Sequence, residues 1–126
     1  MGVRGIGTSV EEAFEGAAMA MSALTTQPGK VSRKENIEIR CEAPDEEMLL
    51  FDWLNAIVYE MATRNMVFGA FRVTLDDGRL QGTARGETRN RERHMAGVEV
   101  KGATFTELLV SERDDGTWVA QCVVDV

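Results

Sequence analysis

FRVTLDDGRLQGTARG, residues 71–86, decides the fold. Phe71, Val73 and Leu75 alternate with polar residues, so one face of an extended chain is apolar. Asp76-Asp77-Gly78 follows, residues that tolerate positive φ and signal a tight hairpin. On the return, Leu80, Gly82, Ala84 and Gly86 share a face, a stripe of small side chains suited to lie beneath a helix. An antiparallel pair is predicted here, and its neighbours must supply what covers it.

Upstream, Asp45 can cap a helix with Glu46 and Glu47 in its first turn. Leu50, Trp53, Leu54, Ile57, Val58 and Met61 recur at helical spacing, predicting a helix over 45–64. Before it, Ile37, Ile39 and Cys41 alternate with Glu38, Arg40 and Glu42, the pattern of a half-buried strand. A first helix is signalled by Ser9 with Glu12 as a capping box, and by Val10, Ala13, Phe14, Ala17, Met21 and Leu24 on one face. TTQPGK (25–30) ends it, because Pro28 and Gly29 do not continue a helix. MGVRGIG (1–7) has strand character from its first residue, which places the N-terminus at the domain's edge.

Downstream, RGETRNRERHMAG (85–97) is polar and irregular and reads as a loop. Its Arg85, Arg89, Arg91 and Arg93, set against Glu87 and Glu92, suit a solvated face or a docking surface for an acidic partner. Val98 and Val100 alternate with Glu99 and Lys101, and Phe105 to Val110 continues as strand. A second Asp-Asp-Gly (114–116) turns the chain into WVAQCVVDV (118–126). There Trp118, Ala120, Cys122, Val124 and Val126 lie on one face, and Val119, Val123 and Asp125 on the other. The expected architecture is α+β: a two-layer sandwich with two helices on one face of a mostly antiparallel sheet.

The length of 126 residues suits one domain, 1–126, with a real core. A net charge of −7 opposes a broad phosphate-neutralising surface and favours cations or basic protein patches as partners. Cys41 and Cys122 lie in strand patterns far apart and read as free thiols, which points to a reducing compartment. With no membrane-length apolar run and no signal-peptide pattern, a cytoplasmic protein is expected.

Chemistry has few candidates. No G-x-S-x-G elbow is present, and the one histidine, His94, reads as a surface or loop-packing group in the arginine-rich stretch. Lys101 reads as an exposed strand lysine. Asp52 and Asn55 sit three apart on the second helix, near Trp53. Asp52, Asp125 and the Val126 carboxylate are the acids in ordered context for a hard-cation site, though spacing alone does not bring them together. A metal-dependent hydrolase using these acids stays open, against the single histidine and the absence of a dense carboxylate cluster.

GTSVEEAFEGAAMAM (7–21), LLFDWLNAIVYEM (49–61), RHMAGVEVKGATF (93–105) and VAQCVVDV (119–126) together resemble the archease family, in the same order and with similar separations. The resemblance covers nearly the whole chain. It implies a two-layer fold and a role as protein cofactor of the RtcB-type RNA ligase of tRNA splicing and RNA repair. Such a protein speeds guanylylation of the ligase's active-site histidine and restores multiple turnover; it is not the ligase and meets RNA only indirectly. The resemblance further implies a calcium (Ca2+) site using a C-terminal Asp, the terminal carboxylate and an N-terminal Asp. Carried over, the C-terminal ligands are Asp125 and Val126, and Lys101 is the lysine of the ligase interface. Asp52 and His94 are grouped with it as candidate interface residues.

Two departures from the family's pattern matter. The family opens D-H-T-A-D-V-G, whereas this chain begins at the equivalent of V-G. The expectation is therefore either a native start upstream of Met1 or an incomplete site, with weaker calcium binding. The family's K-A-x-T-Y-H is here Lys101-Gly102-Ala103-Thr104-Phe105-Thr106, without Tyr or His. An interaction module with no ligase link is a third reading.

Overall fold

Caps and turns divide the chain much as their residue types dictate. In the computed structural model, which describes residues 1–94 and 97–126, the elements run in a simple order. They are β1 (Gly2–Gly7), α1 (Val10–Thr25), a 3-10 turn (Pro28–Lys30), β2 (Glu35–Glu42), α2 (Glu46–Arg64), β3 (Met66–Asp76), β4 (Arg79–Thr88), β5 (Gly102–Ala103), β6 (Leu109–Glu112) and β7 (Trp118–Asp125). Ser9 Oγ accepts the Glu12 N–H at 3.1 Å, and Asp45 Oδ1 accepts the Met48 N–H at 2.8 Å, so both helices start at the predicted caps. The reciprocal half of the capping box differs: the Glu12 carboxylate accepts the Thr8 hydroxyl at 3.0 Å. Asn65 ends α2 in the left-handed region (φ 52°), with its N–H donating to Met61 O.

The α+β class is as the pattern predicts, and the strands divide into two antiparallel sheets. One has the order β1-β7-β5 with β6 also on β7; the other is β2-β4-β3. Asp77 (φ 47°) and Gly78 (φ 77°) make the β3–β4 turn. The register sets Val73 opposite Gly82 and Phe71 opposite Ala84. The small-residue stripe does lie beneath a helix. A Cβ on Gly82 would stand 2.4 Å from the Trp53 ring, so the indole of α2 rests on bare backbone. Trp53 is fully buried, donates Nε1–H to Phe14 O at 3.2 Å, and meets Phe71 edge to face at 6.1 Å.

Helix α1 packs on β1, β3 and β7. Its approach to β1 is close enough that a Cβ on Gly5 would lie 2.0 Å from Ala13 O. Ala13, Phe14, Ala17, Met21, Leu50, Leu54, Ile57, Ile39, Val124 and Cys122 fill the core between helices and sheets. Helix carboxylates also serve the strands. Glu15 on α1 accepts the Val73 N–H of β3 at 2.9 Å, and Glu47 on α2 accepts the Val110 N–H of β6 at 2.9 Å. These bonds satisfy strand donors that the sheets leave over.

Three expectations about the second half are corrected. Arg85–Thr88 belong to β4 rather than to a loop, because pairing with Asn36, Glu35, Val67 and Met66 extends the strand. Residues 98–101 form no strand, and pairing begins only at Gly102. Phe105 to Leu108 turn instead of extending, with the Leu108 N–H donating to Phe105 O at 3.3 Å; strand resumes at Leu109. Met95 and Ala96, at the end of the predicted loop, lie outside the described residues.

Candidate functional site

Strand β7 carries the candidate site at its end, held on both edges. On one, Val124 N–H donates to Met1 O at 2.7 Å, with the Met1 amine 3.3 Å from Val124 O. On the other, Lys101 N–H donates to Asp125 O at 2.8 Å, Thr104 N–H to Val123 O at 3.0 Å, and Val123 N–H to Thr106 O at 3.0 Å. The Thr104 hydroxyl adds a 2.7 Å bond to Val123 O. Lys101 and Asp125, far apart in sequence, therefore sit side by side. Their side chains are exposed, and the Lys101 ammonium has no ion-pair or hydrogen-bond partner among the described residues.

A hard cation needs about six to eight oxygen donors. Among the described residues, no group of three or more His, Cys, Asp or Glu side chains is placed to hold a metal. Asp125 and Val126 stay exposed at the strand's end. Strand alternation puts Asp125 on the face away from Ala120, Cys122 and Val124, which pack into the core under the helices. Asp52 sits half-buried on α2. Its charge lies close enough to Cys41 of β2 to act on that thiol. Burial first, and then the Asp52 charge, push that thiol up to about 11. Among the described residues the acidic side chains do not make up a complete calcium site.

His94, read as a surface or loop-packing group and grouped with the interface candidates, is buried at 3 % exposure. Asn90 N–H donates to its Nδ1 at 2.8 Å, which leaves Nε2 to donate to Glu87 Oε2 at 3.0 Å. Both ring nitrogens are used, and none is offered outward. Glu87, expected on a solvated face, is buried at 5 % and organises the region. It accepts from Ser32 N–H (2.7 Å), His94 and Arg93 Nη1 (2.9 Å). The Ser32 bond, then those of His94 and the charge of Arg93, outweigh burial and hold its carboxyl down at about 2. Arg89 and Arg91 remain on the loop beyond β4.

Sequence reasoning missed a second feature of α2. The sequence marks Asn55 only as half of a polar pair with Asp52. Its Oδ1 accepts the Ala103 N–H at 2.9 Å, and one turn earlier Phe51 stacks on Phe105 at 4.4 Å and 14°. The available signal was a polar and an aromatic residue one turn apart on an apolar helix.

A sequence model described as the Archease protein family (MTH1598/TM1083) matches residues 1–126. Protein archease of Pyrococcus furiosus is 36% identical over 130 residues, covering 100% of this chain and 92% of the relative. Protein archease of Sulfolobus acidocaldarius is 36% identical over 128 residues, covering 100% and 91%. Among solved structures, Methanobacterium thermoautotrophicum protein 1598 superposes with a TM-score of 0.85 at 32% identity, covering 99% of this chain and 91% of that one. An archease of Thermotoga maritima, described as a possible chaperone, has a TM-score of 0.68 at 20% identity and is alike in fold.

Proposed function

The chain belongs to the archease family, and from that premise we propose that it is a non-catalytic activator of an RtcB-type RNA ligase in tRNA splicing and RNA repair. It acts by protein–protein contact, speeding guanylylation of the ligase and restoring its turnover, with RNA met only through the ligase. The observation that carries this reading is Lys101. Its backbone is fixed to Asp125 O at 2.8 Å, while its ammonium stays exposed and unpaired among the described residues. A point charge presented from an ordered backbone suits recognition of an acidic group on a partner surface. No described helix is long and apolar enough to cross a membrane, and a cytoplasmic setting fits the two free thiols.

Calcium at Asp125 and Val126 belongs to the same proposal as a secondary element. The described residues supply too few donors, so the ion would have to draw on others. The register Gly2 to Val123 and Met1 beside Val124 would place any residue joined ahead of Met1 along Asp125.

The test is turnover of the cognate ligase on cleaved tRNA, with substoichiometric amounts of this protein. Raised turnover and guanylylation are expected, with Lys101→Ala weakening both. Unchanged turnover with the correct ligase overturns the reading. The alternative, a metal-dependent hydrolase using the same acids, is weighed against by the absence of a dense carboxylate cluster among the described residues and is tested by phosphatase and esterase assays with and without Mg2+ or Ca2+.

A further inference from the structure

We propose that Asn55 and Phe51 are positioning residues that hold the Lys101-bearing segment in register on α2. This deepens the ligase-activator reading and rests on it for its functional part. Lys101 lies outside any strand, and β5 beyond it is only Gly102–Ala103. Pairing to β7 alone leaves the segment's other edge open. Asn55 closes it: Oδ1 accepts the Ala103 N–H at 2.9 Å across 48 residues of sequence, in a part-buried setting. Gly102 permits the approach, since even a Cβ there would come within 3.1 Å of Asn55 Oδ1. One turn earlier, Phe51 stacks on Phe105 at 4.4 Å.

The two contacts match in spacing. Four residues of helix rise about 6 Å, and two residues of extended chain advance roughly 6.6 Å. Positions 55 and 51 therefore meet 103 and 105 in step. The segment is fixed on both sides, by Lys101 N–H and Thr104 N–H to β7 and by Asn55 and Phe51 to α2. Neither α2 residue is bonded to the Lys101 ammonium; their partners are the Ala103 N–H and the Phe105 ring. They act through the backbone that carries it, which makes them positioning residues.

The experiment combines amide exchange with ligase activation for Asn55→Ala, Asn55→Asp, Lys101→Ala and the Asn55→Ala/Lys101→Ala pair. Asn55→Ala is expected to raise exchange of the Ala103 and Lys101 amides by roughly three- to tenfold, the change in open population when one net hydrogen bond is lost. Amides of β3 and β4 should keep their protection. Activation should fall with Asn55→Ala and recover with Asn55→Asp, which keeps the acceptor oxygen. In the Lys101→Ala background, Asn55→Ala should remove nothing further, because it acts through that lysine. Unchanged exchange at Ala103 and Lys101, or losses that multiply in the double variant, overturns the proposal. If Lys101→Ala alone leaves activation intact, the functional half of the proposal fails, the exchange result still decides the positioning, and the ligase reading is decided by turnover with the unaltered protein.

Discussion

Lys101 and Asp125 are joined backbone to backbone, with the lysine N–H donating to the aspartate carbonyl at 2.8 Å. The bond aligns an exposed cation with the end of the last strand. It also separates the roles of backbone and side chain at position 101, because truncating the side chain leaves the N–H in place.

Lys101→Ala should therefore fold normally, with a stability change within about 0.5 kcal/mol, as for an exposed side chain without partners. Its loss should fall on ligase activation. Urea unfolding and a ligase turnover assay check the two halves together. An unfolded variant would make Lys101 structural and remove it from the interface.

Glu87 should make the protein acid-sensitive. Its folded carboxyl titrates near 2, against the ordinary 4.5. Between those values the unfolded chain takes up a proton that the folded chain refuses. The stability Glu87 contributes is thus full above about pH 4.5 and lost as pH falls toward 2. Glu87→Gln should be less stable at neutral pH, and its deficit in Tm against the parent should narrow as pH falls from about 4.5 toward 2. Asp115, also held low by its bonds to Thr117, is common to both proteins and cancels in the difference. A deficit that stays constant with pH would show that the Glu87 charge is not what stabilises this region.

Gly82→Ala should destabilise by about 1–3 kcal/mol through overpacking. The added Cβ would meet the Trp53 ring at 2.4 and 2.8 Å, and a fully buried indole between Phe71 and the Phe14 carbonyl has nowhere to retreat. Gly29→Ala is the control, since a Cβ there meets nothing within 4 Å. Equal denaturation midpoints for the two variants would mean that α2 does not rest on β4 in solution.

Calcium should bind this chain only weakly, because no three acidic side chains converge among the described residues. Calorimetry should find Asp125→Ala removing what binding there is. An extension ahead of Met1 that supplies an aspartate should tighten it. Strong binding indifferent to Asp125→Ala would place the ion elsewhere.

The sequence by itself determined the local elements. Ser9 and Asp45 could only be read as caps before apolar 3.6-residue patterns, and Asp76-Asp77-Gly78 only as a tight turn. The alternation of residues 118–125 fixed a strand and the opposite faces of Val124 and Asp125. These signals are short-range, carried by a residue and its neighbours within a turn or two. What the tertiary structure decided is where unlike segments meet. Asp52 and Asp125 are both acids on ordered elements, yet one acts on the Cys41 thiol of β2 and the other stands exposed at the end of β7. Glu87 reads as one solvated charge among arginines, but Ser32 from one stretch and Arg93 and His94 from another enclose it. Asn55 looked like half of a polar pair, and its partner is a backbone N–H 48 residues away. Periodicity records which side of an element is apolar. It does not record which distant donor a buried oxygen will accept from, because that is set by how the helices and the two sheets close around one core.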